Sequence, residues 1–128
     1  MRTIEKNGKT IAIVFDGTFE DGTKPVTEEF LPLQIVALKH KKGKKLVPHT
    51  HGPKKRTTEK LAEALMIFSG VVKVSVFDEI NLPIEDIVLK EGEGVMIVNG
   101  GIGIEILEDA EMMEFKNGPF VEDKIVIG

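Results

Sequence analysis

Apolar residues in this chain come in short alternating runs, each cut off by Gly, Pro, Asn or Asp. That is the period of half-buried strands rather than of helices. Met1 to Thr10 is polar and reads as a leading strand or arm. Lys9 to Phe15 (KTIAIVF) is a β-rich run that stops at the turn signal Asp16-Gly17. Leu33 to His40 is the next strand and turns at Lys42-Gly43-Lys44. Leu46 to His51 is short and extended, because Pro48 restricts Val47 to β or polyproline geometry. Leu61 to Phe68 contains good helix formers, but it is short and ends at Ser69-Gly70, which predicts a strand. Val71 to Phe77 (VVKVSVF) is plainly β, so the two runs read as a hairpin over Ser69-Gly70.

Asp78 to Asp86 reads as a polar connection. Ile87 to Leu89, Gly94 to Val98, Ile102 to Leu107, Glu111 to Lys116 and Lys124 to Ile127 follow as short strands. Turns are expected at Asn99-Gly100-Gly101, Glu108-Asp109 and Asn117-Gly118-Pro119. Ile102, Ile104 and Ile106 alternate in the manner of a core face. About ten short strands without a long helix predict an all-β antiparallel barrel or sandwich. A chain of 128 residues is one domain by size, with an N-terminal strand or arm over 1–30 and a barrel core over 31–127.

Composition narrows the function. With no cysteine, disulfides and thiolate metal sites are excluded. There is no long apolar run and no secretory leader pattern, so a cytoplasmic protein without a membrane partner is expected. A net charge of −4 argues against nucleic-acid binding. The charge is uneven, however. Residues 39–60 hold nine of the 17 basic side chains and, in Glu59, one of the 21 acidic ones. A basic block of this kind suits an anionic small molecule, and it also suits a solvated loop.

Within that block lie His49 and His51. In an extended chain residues i and i+2 share a face, so both imidazoles aim into one space. Glu63 interrupts an apolar run, where a charge is costly unless it is paired or bound to metal. Two imidazoles and a carboxylate are a donor set for a divalent ion such as Fe, Mn, Ni or Zn. The alternative is a hydrogen-bonded group with no ion. Lys55 and Arg56 are candidate clamps for phosphate or carboxylate. His49 or His51 is the candidate base for proton abstraction beside a carbonyl. His40 reads as a surface histidine, and Glu114 and Lys116 as a cross-strand ion pair or cavity lining.

The spacing resembles that of the cupins. Gly43 is followed by five residues and then His49-Thr50-His51, and Glu63 by six residues and then Gly70. Gly92-Glu93, the strand Val95 to Val98 and Asn99-Gly100-Gly101-Ile102-Gly103-Ile104-Glu105 resemble the second cupin motif of a subgroup of small stand-alone members. Glu114-Phe115-Lys116-Asn117-Gly118-Pro119-Phe120 with Asp123-Lys124 is similar to that subgroup's tail. Ile102 stands where the subgroup has its third metal-binding histidine, and Phe120 where it often has tyrosine, a residue this chain lacks. The resemblance implies a double-stranded β-helix, or jelly roll. It also implies a homodimer formed by exchange of edge strands, for which Lys9 to Phe15 is a suitable strand to lend. By analogy with the deoxysugar-epimerase-like cupins it implies a sugar-phosphate or nucleotide-sugar ligand in a histidine-lined cavity. A metal-dependent enzyme using His49, His51 and Glu63, and a binding module with a degenerate metal site, are the alternatives.

Overall fold

The computed structural model describes residues 1–128 and contains strands but no helix. No helix is therefore long and apolar enough to cross a membrane. The strands are β1 (Arg2–Lys6), β2 (Lys9–Phe15), β3 (Gly22–Pro25), β4 (Val36–Lys39), β5 (Glu63–Phe77), β6 (Pro83–Lys90), β7 (Gly94–Ile97) and β8 (Gly101–Lys116). All pairings are antiparallel. The main sheet runs β1-β2-β7-β5-β6, with β8 on the other edge of β5, and β3-β4 form a separate ribbon.

The architecture is built on β5 and β8. Glu63 pairs with Lys116 at one end and Phe77 with Gly101 at the other, so β8 follows β5 along its whole length. The expected hairpin over Ser69-Gly70 does not form. The two halves of β5 pair with β8 instead of with each other. Leu65 and Ile67 before the glycine, and Val72, Val74 and Val76 after it, belong to one buried cluster. Odd positions give way to even ones across residues 68–71, where the register to β8 shifts repeatedly. A bulge there keeps the apolar side facing inward. The turn expected at Glu108-Asp109 is likewise the corner of one continuous strand. Glycine and acidic pairs signal a chain reversal and a bulge alike, because both need the same backbone freedom.

At that corner both strands turn sharply. A straight 16-residue strand would hold its ends roughly 50 Å apart. Here Ile127 reaches Gly101, while Lys124, three residues earlier, acts on the charge of Glu63, the partner of Lys116. The two ends of β8 therefore lie nearer than a straight strand allows, and the paired strands form a half-barrel. The rest of the sheet curls with them. Ile4 on β1 shares the buried cluster with Ile87 and Leu89 on β6, although these strands stand at opposite ends of the order. Arg2–Glu85 and Lys6–Asp78 ion pairs join the same two regions. The outer face, with Ile13, Ala64, Met96 and Val98, is covered by Val26, Leu31, Leu33 and Ile35 from the segment around β3 and β4.

Other expectations shift at the boundaries. β6 begins at Pro83, inside the stretch read as a polar connection. Leu46 to His51 and Lys124 to Ile127 belong to no strand. Within the N-terminal 30 residues, β2 sits between β1 and β7 of its own chain. Asn7-Gly8, both with positive φ, makes the tight turn from β1 to β2.

The corner gives a stability prediction. Gly70 has φ +85, and a Cβ there would lie 2.1 Å from the Asp109 carbonyl oxygen. Gly70→Ala is expected to cost about 3 kcal/mol or more. Gly8→Ala, with φ +74 and open space around it, is expected to cost about 1 kcal/mol. Urea denaturation of both variants checks the contrast, and equal losses would contradict the corner contact.

Candidate functional site

The basic segment from His40 to Ala62 leaves β4 and enters β5 without joining any sheet. Its lysines repel one another, and Pro48 and Pro53 remove backbone donors. His49 and His51 do share a face: their ring centroids are 5.0 Å apart at an interplanar angle of 73°. His49 Nδ1 lies 2.8 Å from the Val47 carbonyl oxygen. A carbonyl only accepts, so Nδ1 carries a proton, and in the neutral ring the lone pair is on Nε2. Both rings face solvent.

Lys55 and Arg56 are exposed and have no carboxylate partner. The Arg56 guanidinium donates to the Lys54 carbonyl oxygen at 3.3 Å. His40 is a surface residue whose Nε2 lies 3.0 Å from Thr23 Oγ1.

Glu63 stands apart from the imidazoles. Its carboxylate is 3.7 Å from Lys116 Nζ, which is 3.3 Å from Glu114. Burial pushes the Glu63 carboxyl above its ordinary range, Glu114 adds to that, and Lys116 opposes it. Glu114 in turn holds the Lys116 ammonium above its usual range. The expected cross-strand pair of Glu114 and Lys116 is thus a triad with Glu63. No group of three His, Asp or Glu side chains is placed to hold one ion. As arranged, His49, His51 and Glu63 are not gathered into one donor set. Ile102 packs against the main core opposite Val76, and Phe120 is exposed in the tail.

Two features had weak signals in the sequence. Asn117 fastens the end of the basic segment to the end of β8. Its Oδ1 accepts from the Ala62 amide at 2.8 Å, and its Nδ2 donates to the Lys60 carbonyl oxygen at 3.1 Å and Thr58 Oγ1 at 3.3 Å. The Asn-Gly-Pro pattern signals only a turn there. A cavity of about 380 Å³ lies between the outer face of the sheet and β4, lined by Phe15, Ile35, Ala64, Met66 and Phe115 among others. It depends on contacts between distant strands that no local pattern encodes. His49, His51, Lys55 and Arg56 line neither this cavity nor three others of about 590, 200 and 470 Å³.

Compared with models of protein families, with curated proteins and with solved structures, the chain matches none.

The Glu63 environment predicts a pH dependence. A carboxyl whose pKa is higher folded than unfolded adds stability below its unfolded value and loses it as pH rises through the folded value. Glu63→Gln is therefore expected to be more stable than the parent at pH 7, with the difference vanishing below about pH 4. Denaturation midpoints across that range check this. A variant less stable at pH 7 would show that the ion pair with Lys116 outweighs the burial of the carboxylate.

Proposed function

We propose that this protein binds a small anionic ligand, of sugar-phosphate or nucleotide-sugar type, through its basic histidine segment, in a half-barrel of cupin type. The observation carrying this reading is the state of the segment's polar groups. His49 and His51 stand side by side, and Lys55 and Arg56 have no acidic partner within the chain. Cations and neighbouring imidazoles on one segment without internal counter-charge suit a phosphate or carboxylate supplied from outside. The spacing of the cupin-like motifs agrees with it. Arg56 offers a planar fork to an anion, Lys55 a point charge, and the imidazoles hydrogen bonds of either polarity.

The same arrangement supports an isomerase-like reaction as its catalytic form. His49 Nε2 is the free, basic nitrogen, because Nδ1 is committed to the Val47 carbonyl. It would take a proton from the carbon beside a substrate carbonyl, with Lys55 or Arg56 stabilising the developing enolate.

A thermal-shift series with inorganic phosphate, a hexose phosphate and a uridine diphosphate sugar tests the reading. At a hundred times its dissociation constant a ligand adds about 2.7 kcal/mol, a shift of several degrees. The phosphate-bearing sugars are expected to raise the midpoint, and Lys55→Ala with Arg56→Ala to remove the shift. No response to any of the three would contradict anion binding.

A further inference from the structure

The β3–β4 ribbon lies on the outer face of the main sheet without being bonded to it. Its strands pair only with each other. Every hydrogen bond and ion pair made by residues 20–40 ends on another residue of that stretch. Only apolar packing holds the ribbon down, through Val26, Leu31, Leu33 and Ile35 on Ile13, Ala64, Met96 and Val98. That packing is incomplete. A cavity of about 380 Å³ remains between ribbon and sheet. Small residues make the room: Ala37 on the ribbon side, Ala64 and Gly92 on the other. Met66 is laid against Gly94, where a Cβ would lie 2.4 Å from its sulfur. Apolar layers ordinarily interdigitate without such a gap. Cavities of roughly 300 Å³ or more with mostly apolar walls are the usual form of small-molecule sites.

The lining says what fits. No Asp, Glu, Lys, Arg or His side chain lines the cavity, in a chain that is 30% charged. An ion entering it would lose water and gain no counter-charge. The polar side chains there, Thr18 and Gln34, have no donor to spare. Thr18 gives its hydroxyl proton to Asp16. The Gln34 amide donates to the Glu28 and Leu31 carbonyl oxygens at 2.9 and 2.8 Å. Phe15, Phe19 and Phe115 bring ring surfaces, and Met66 a flexible thioether that adapts to a flat partner. Phe19 and Phe115 are exposed as the site stands and have apolar surface left to bury. Size gives the last limit. An apolar cavity of roughly 150 Å³ takes one benzene. A space about two and a half times larger suits two fused rings.

We propose that this cavity is a second binding site, for an uncharged aromatic molecule of two fused rings, with the β3–β4 ribbon as its cover. A cover held by side-chain packing alone lifts without breaking any sheet bond, which gives the ligand its way in. Recognition is by shape and ring contact, since the walls offer no charge. The site stands apart from the anion-binding reading. His49, His51, Lys55 and Arg56 do not line it, and neither reading depends on the other.

Titration with 2-naphthol, which is uncharged at pH 7, tests the proposal. The chain has no Trp or Tyr, so naphthol fluorescence is read without their emission. One saturable site per chain is expected. Ala37→Leu, which fills the space from the ribbon side, is expected to weaken binding at least tenfold. In the unmodified chain, saturating 2-naphthol is expected to slow exchange of the amides at 22–24 and 36–39 at least tenfold. Amides at 72–76 are expected to keep their rates. Absence of saturable binding would overturn the proposal. So would binding that leaves the ribbon amides unchanged, whether or not Ala37→Leu folds, because the ligand would then sit elsewhere. Displacement of 2-naphthol by an equal concentration of decanoate would overturn the uncharged aromatic class. A ligand-free dimer that Phe115→Ser dissolves would place a second copy over the mouth and overturn the assignment to a small molecule.

Discussion

The contact between Gly70 and the Asp109 backbone fixes the shape on which everything else depends. Only a residue without a side chain allows the two strands to approach so closely, at a φ that a Cβ would oppose. Because both strands bend at the same level, their pairing survives the corner and the apolar side stays inside. Val72, Val74 and Val76 are fully buried as a result, each contributing of order 1.5–3 kcal/mol. β6 and β7 then share the other edge of β5, and β2 and β1 follow β7 around the curl.

Polar interactions finish the shape rather than create it. Asp78 is buried, yet its carboxyl is held below the ordinary range by Lys6 and by the Leu82 and Ile80 amides. That group pins the loop before β6 to β1, with Lys9–Glu79 beside it on the surface. Glu63, Glu114 and Lys116 occupy the inward side at the open end, where the apolar stripe runs out. A carboxylate is tolerated there because an ammonium faces it, and its raised pKa records the remaining cost of partial burial.

Much of the fold was legible because side-chain alternation is a local property. Lys9 to Phe15 and Gly94 to Val98 are strands at nearly the expected bounds, and Val71 to Phe77 is the second half of β5. The joints were not legible. Ser69-Gly70 and Glu108-Asp109 look like reversals in sequence, and only cross-strand register shows them to be corners. The site was legible in part. Spacing alone brought His49 and His51 onto one face, as the ring geometry has it. Spacing said nothing about whether that face looks inward, because this depends on which edge the segment meets. Nor did it reveal that Lys116 would engage Glu63, a partner 53 positions away along the chain.

The half-barrel stands on two long strands that stay paired through a shared corner. Nuclear Overhauser contacts between backbone protons across β5 and β8 test this most directly. The structure predicts contacts for Leu65 with Glu114 and also for Val74 with Ile104, one pair on each side of the bend. Contacts linking residues 61–68 to residues 71–77 instead would mean a hairpin, and the half-barrel would be contradicted.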